Sequence, residues 1–352
     1  MILVSAYVMI FLYRVAVDRM KDVNKRRAVF CWGVCLMLIF LSGLRHVDIG
    51  ADTLAYKQFF ETIKNIDMSS LIRRLVLNYS MDISEVQDVG YDIFEKLCSY
   101  LCGDYQGYLI IVAIIFTVSL NVWILRYSDL PFISYLLYFT LFFSFYSITG
   151  IRQTIALSLS VLMGQKFIEE RKLGHFLFVM IIAMTIHKSV ICFLPYYFVS
   201  KLKVRKESFV GWMVLFVLIF INRHAITKFL GTLMGYEEYI KQAEGAGTYT
   251  FTLLMIIVGI MLFIQWEHLK KEKNVQLFIN AYFMAMMALP MTYIDPNTMR
   301  VVHYYAFSLL ILTPAIIKSF RKDYVLVGFV TIAMLSILFI KVCPTYYFYF
   351  LK

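Results

Sequence analysis

The sequence predicts an all-α fold: a polytopic transmembrane helix bundle of about ten to twelve spans, with interfacial helices on its external face. Three observations predict it. Of 352 residues, 61% are hydrophobic and only 16% are charged, which is more apolar surface than one soluble core can hide. The apolar residues fall into runs that approach the roughly 17 to 25 residues needed to cross a bilayer as helix. The Lys and Arg residues lie in short clusters between those runs, the pattern that encodes membrane topology. A formal charge of +11 dispersed in this way does not point to nucleic acid, which is excluded as a partner; the lipid bilayer is the expected one.

In chain order the apolar runs are 1–13, 28–44, 108–125, 131–148, 151–167, 176–186, 189–200, 209–221, 249–266, 275–294, 301–317 and 324–342. The first has no basic stretch before it and no small-residue cleavage site after it, so it is expected to be a span rather than a removed leader. The runs at 176–186 and 189–200 are short, and read either as two tilted spans or as a broken pair. Alternate loops are basic, from Arg14 to Arg27, at Arg126, and at 166–172, 201–206, 270–273 and 318–322, together holding the larger share of the 34 Lys and Arg residues. Those loops are expected inside, and both termini outside. The whole chain, 1–352, then forms a single transmembrane domain.

Two longer segments are expected on the external face. In 45–107, Tyr56, Phe59, Phe60 and Ile63 recur at helical spacing, and Phe94, Leu97 and Leu101 do so again after Gly90 and Tyr91, predicting two interfacial helices. Between them, 67–88 is polar and reads as a lid or specificity loop. The other segment, 223–248, contains Tyr236-Glu237-Glu238-Tyr239 and Glu244-Gly245-Ala246-Gly247. The aromatic share of 17% suits rings at the headgroup level or stacked on ligand rings alike. The six cysteines sit mostly in apolar runs without paired spacing and read as small apolar fillers.

Polar residues crowd at the outward ends of spans. Arg45, His46, Asp48 and Asp52 follow the second run within a few residues of Gly50; Arg152 opens another outward turn, His187 and Lys188 a third, and Asp295 with Arg300 a fourth. Asp48 and Asp52 suit a general base with an electrostatic partner, the competing reading being a helix N-cap. Arg45, Arg152 and Arg300 are either interfacial snorkellers or a set of guanidinium forks for a phosphate or pyrophosphate on a lipid. His187 is a proton-transfer candidate or a helix-end histidine. His46, His175, His224, His268 and His303 have no metal-ligand spacing, so no metal is expected. Nucleotide-binding loops, a nucleophile elbow and a His-Glu-x-x-His motif are all missing, which leaves ATP use and serine or zinc hydrolysis without support, and no cofactor is expected.

Taken together, the motif Arg45-x-x-Asp48-x-Gly50-x-Asp52-Thr53-x-x-Tyr56, the Gly90-Tyr91 pair with Phe94, Ile151-Arg152-Gln153-Thr154-Ile155-Ala156, His187-Lys188-Ser189, and Arg300 with Tyr304 resemble the EpsG-type branch of the Wzy polysaccharide polymerases, nearly end to end. The family often carries an acid near Gly90-Tyr91; here Asp88 and Asp92 flank that pair, a departure from the family's placement. The resemblance implies a membrane-embedded, lipid-dependent glycosyltransferase of the GT-C-like type in the bacterial inner membrane, making exopolysaccharide, capsule or O-antigen. Its substrate would be undecaprenyl-pyrophosphate-linked oligosaccharide, and its partners a chain-length regulator and a flippase. In such an enzyme Arg152, Arg300 and Arg45 would hold the departing pyrophosphate, and Asp52 would take the acceptor proton, with Asp48 and His187 in reserve. Tyr56 and Tyr91 would meet sugar faces, and Gln153, Lys188 and Tyr304 would line the substrate site. The alternatives are a lipid-linked oligosaccharide flippase or transporter, a glycan ligase, and an acyltransferase. A transporter would favour internal repeats and polar residues at the midplane.

Overall fold

The computed structural model describes residues 1–80, 88–234 and 248–351, so Tyr236 to Tyr239 and Glu244 to Gly247 lie outside the described residues. Helices account for nearly all of it, and among the described residues there is one isolated antiparallel bridge, between Arg45 and Phe348. Among the described residues four helices are long and apolar enough to cross a membrane: Val23–Gly43, Tyr105–Tyr127, Lys273–Tyr293 and Arg321–Val342. Two bent pairs bring the count to six if each is one span, Lys206–Ile221 with Arg223–Phe229 at 77° and Pro296–Ala306 with Leu309–Ser319 at 54°. Shorter apolar helices accompany them, including Ile2–Val17, Leu173–Ile186 and Tyr249–Ile264; a count of ten to twelve spans is reached only if these cross as well. The protein is a polytopic helical bundle.

Backbone contacts divide the chain into two compact units, Met1–Lys188 with Val325–Lys352, and Ser189–Tyr324. In the first, α1 is Ile2–Val17, α2 Val23–Gly43, α3 Thr53–Lys64, α4 Met68–Ser80, α5 Val89–Leu101, α6 Tyr105–Tyr127, α7 Pro131–Leu141, α8 Ile151–Leu157, α9 Gly164–Glu169 and α10 Leu173–Ile186. Helix starts are marked by capping chemistry. Asp22 accepts from the amides of Asn24 and Lys25 at the head of α2, and Asp104 accepts from Gly107 at the head of α6. Apolar packing of α2 on α6 buries Phe30, Val34, Leu38 and Leu41 against a face carrying Leu109, Phe116 and Leu120. On the far side of the unit Tyr7 stacks on Phe339 at 4.5 Å, tying α1 to helix Tyr324–Val342.

The two helical patterns read in 45–107 are helices, α3 and α5. Of the segment 67–88, expected as a polar lid, residues 81–87 lie outside the described residues, and the part before them is a third helix, α4, from Met68 to Ser80, with Leu71 fully buried and Arg73 and Arg74 exposed. An amphipathic pattern of apolar residues at 68, 71, 72 and 75 explains it: propensity and burial outweigh the local polarity. In the second segment, α-helix likewise occupies Arg223–Met234.

The second unit packs around aromatic side chains. Phe209 meets Phe263, Trp266 and Phe283 edge-on, and Trp212 stacks on Phe283 at 5.2 Å. Buried hydroxyls find backbone carbonyls: Tyr196 donates to Leu277 at 2.6 Å and Tyr282 to Met255 at 2.7 Å.

Candidate active site

Helix α8 is a seven-residue segment held between two π-helical turns, Ser144–Thr149 and Ser158–Met163. Wide turns of this kind interrupt the regular ladder and re-aim side chains, and they recur at functional sites. Gly150 precedes the helix, and Thr154 donates its hydroxyl to the carbonyls of Tyr146 and Gly150, both at 2.9 Å, fixing the bend. The residue so presented is Arg152. Its Nη1 lies 3.2 Å from Oδ2 of Asp88, and its guanidinium carbon sits over the rings of Tyr91 at 4.9 Å, Tyr56 at 5.6 Å and Phe59 at 5.9 Å. Three aromatic faces and one carboxylate therefore hold the cation. Its Nε is buried and makes no hydrogen bond.

Asp88 stands at the N-cap position of α5 with a φ of 20°, an uncommon backbone state for a residue with a side chain. Instead of capping the helix, its carboxylate turns outward to serve two partners, Arg152 and Nδ1 of His187 at 3.6 Å. Burial alone would push this carboxyl up; contacts with His187 and Arg152 outweigh it and hold the group below its ordinary value. His187 terminates α10 in an extended conformation, and its Nε2 is buried without a hydrogen-bond partner. Close approach of the helices is allowed by Gly90, where an added Cβ would lie 2.8 Å from the carbonyl carbon of Thr185 and still nearer its side chain.

Helical periodicity places Asp88, Tyr91, Asp92 and Glu95 on one face of α5. Asp92 pairs with Arg74 of α4 at 3.6 Å, and burial raises its carboxyl despite that partner. Glu95 is fully buried and pushed up to about 8, chiefly by desolvation. Tyr91 is fully buried as well, its hydroxyl accepting from Tyr108 at 2.8 Å. Its ring faces Arg152 and not an open surface, so it does not stand ready to stack on a sugar.

The expected residues thus separate. Arg152, His187 and Tyr56 come together, with Asp88 as the hub that local spacing did not single out. Arg45 is only 3% exposed: it donates to the carbonyl of Ser42, and its backbone pairs with the segment around Phe348. Burial draws its guanidinium below the ordinary value. Asp48 is exposed, 3.4 Å from Nδ1 of His46 and 3.5 Å from the Tyr347 hydroxyl. Asp52 is exposed at the N-cap position of α3, without a capping bond from its side chain, one helical turn before Tyr56. Gln153 is buried and donates to the Tyr146 hydroxyl at 3.2 Å, a packing contact beneath α8. Lys188 closes the first unit at the start of a 3₁₀ turn, and is half-buried. In the second unit Arg300 is exposed near the start of helix Met299–Ala306, and Tyr304 is buried with its hydroxyl 3.1 Å from that of Ser189. Among the described residues no cluster of His, Cys, Asp and Glu has the geometry of a metal site.

Chemically, the cluster combines a cation with an unused donor and an imidazole whose Nδ1 lies 3.6 Å from a carboxylate oxygen, neither ring nitrogen completing a hydrogen bond. The first suits an anionic oxygen group; the second suits proton acceptance from a hydroxyl. Neither a search of curated proteins nor one of solved structures returns a match. The EpsG family model, however, matches residues 28–351, which takes in most of α2, the whole Arg152–Asp88–His187 cluster and the Phe348 segment, and the chain belongs to the EpsG family.

Proposed function

We propose that this protein is a polysaccharide polymerase: it transfers a growing glycan from undecaprenyl pyrophosphate onto a lipid-linked oligosaccharide repeat at the external face of the bacterial inner membrane. The carrying observation is the Arg152–Asp88–His187 cluster in a chain of the EpsG family. Transfer breaks the bond between the anomeric carbon and the pyrophosphate oxygen and forms one to an acceptor hydroxyl. Negative charge grows on the departing pyrophosphate, and Arg152 supplies two or more N–H donors with permanent charge to meet it. The acceptor hydroxyl gives its proton to Nε2 of His187, whose Nδ1 side faces Asp88; the carboxylate orients the ring and stabilises the imidazolium. Asp88 thereby replaces Asp52 and Asp48 as the functional acid, and His187 becomes the base. A chain-length regulator and a flippase of the same route are the expected partners. The bond energy of the lipid pyrophosphate drives the reaction, so no nucleotide is needed.

Reconstitution tests this. Purified protein in liposomes, given undecaprenyl-pyrophosphate repeats, is expected to yield a ladder of lengthening glycan that His187→Ala and Arg152→Ala abolish at equal protein amounts. Repeats that cross the bilayer without growing would replace the polymerase reading with a carrier.

A further inference from the structure

Glu95 has no part in the chemistry just described, yet it is the most deeply buried carboxyl of α5 and lies on the same helix face as Asp88. It is 0% exposed, and neither of its oxygens completes a hydrogen bond. Its neighbour Lys96 is committed elsewhere, donating to the Lys64 carbonyl at 2.8 Å. An ionised carboxylate buried in this way, without a partner cation in contact, is among the costliest arrangements in a protein interior, so the group keeps its proton at neutral pH.

Its surroundings tie it to the anion site. On α5 it faces Tyr91 and Asp92, with Cys98 one turn further on. Tyr91, one helical turn before Glu95, carries the Arg152 guanidinium carbon 4.9 Å over its ring and accepts from Tyr108 of α6 at 2.8 Å; Tyr105 of α6, Tyr108 and Arg152 lie within electrostatic reach of Glu95. Arg74 on α4 reaches this face only through Asp92, and His187 at the end of α10 through Asp88. Among the described residues, Arg152 is the basic side chain within electrostatic reach of Glu95, with the Tyr91 ring in contact with its guanidinium. Asp88 and Asp92 already place two carboxyls beside that guanidinium; a third negative charge would make the cluster unfavourable for an anion.

We propose that Glu95 is a proton-holding positioning residue for Arg152: with its proton it leaves the guanidinium charge to a bound anion, and on passing that proton to solvent it draws the charge inward and weakens the anion's hold. This rests on the anion-binding role given to Arg152 above. The consequence is a site that takes phosphate groups at neutral and mildly acid pH and closes to them as Glu95 ionises, near pH 8.

Two measurements test it, on the full protein in an ester-free detergent. Infrared titration should show a protonated carboxyl band at pH 7 that fades as the pH passes about 8 and is missing from Glu95→Gln. Calorimetric binding of inorganic pyrophosphate should weaken about tenfold across that interval in the parent and stay level in Glu95→Gln. The ligand's own titration is common to both proteins and cancels. A parent without the band at pH 7, or an identical weakening in Glu95→Gln, overturns the inference while leaving Arg152 as the anion site. Parent protein that binds no pyrophosphate at any pH overturns both. Should Glu95→Gln fail to fold, Glu95→Asp takes its place: the shortened carboxyl should move the band's midpoint and the loss of pyrophosphate binding together, and a loss of binding that stays where the parent's lies while the band moves overturns the inference.

Discussion

Replacing Arg152 with lysine keeps the charge and discards the planar fork, so it asks what the guanidinium itself contributes. In the structure that group faces three rings, at 4.9, 5.6 and 5.9 Å, and one carboxylate oxygen at 3.2 Å. Each cation–π contact at a partly exposed site is worth about 0.5–1 kcal/mol, and shared contacts do not add in full. An ammonium reaches the carboxylate but covers one ring at most, so Arg152→Lys should destabilise the fold by about 1 kcal/mol. Catalysis should suffer more. Losing paired N–H donors to a developing oxyanion costs on the order of 100-fold in rate, or about 2.7 kcal/mol. The assay is the initial rate of glycan lengthening in liposomes with saturating repeat units, beside thermal unfolding of the same preparation. A Lys variant that polymerises within a factor of about three of the parent would refute the fork as the pyrophosphate ligand, because charge alone would then suffice.

Three further outcomes follow from the same geometry. Asp88→Asn should leave Arg152 and His187 without their shared carboxylate, costing about 1–3 kcal/mol of stability and at least 100-fold in polymerisation. Because the Asp88 carboxyl is held below its ordinary 3.8, its stabilisation is present above that pH and is lost as the pH falls through the lowered value; unfolding curves of the parent should show that acid limb and those of Asp88→Asn should not. Glu95 has the opposite sign. Raised from 4.5 to about 8, it favours the fold fully below pH 4.5, and stability should fall by up to about 1.4 kcal/mol per pH unit until the pH passes about 8, a decline that Glu95→Gln removes. Gly90→Ala sets a methyl group 2.8 Å from the Thr185 backbone and should cost about 1–3 kcal/mol by forcing α5 away from α10, with polymerisation lost in proportion to the displacement of Asp88 from His187.

How much of this the sequence carries depends on how local the signal is. Helices α3 and α5 are legible because Tyr56, Phe59, Phe60 and Ile63, and then Phe94, Leu97 and Leu101, repeat at helical spacing, although the buried apolar side chain of α5 in that stretch is Cys98 and Leu97 is exposed. The position of Arg152 and His187 at helix ends is legible from where apolar runs end. Asp88 is not, since its partners lie 64 residues away in Arg152 and further still in His187, and no periodicity links a helix cap to two distant helix ends. Gly90 is the trace that could have exposed it: a glycine near the start of an amphipathic helix marks a close approach, and the acid beside it is carried into that contact. Arg45 misleads for the converse reason. A charged residue after an apolar run reads as exposed, but here the aromatic segment around Phe348 covers it, and pairing between strands so far apart leaves no mark on either.

That cover orders events during synthesis. The Tyr346 hydroxyl donates to the Leu41 carbonyl across 305 residues, and the amides of His46 and Tyr349 complete the clasp on the carbonyls of Tyr347 and Leu44. A ribosome delivers Leu41 305 residues before Tyr346. While the intervening helices are being inserted, the Arg45 guanidinium must stay wet or borrow lipid headgroups, and it can be sealed inside only once translation has reached Phe348. The turn after α2 is therefore made early and finished late, its cover arriving 305 residues behind it.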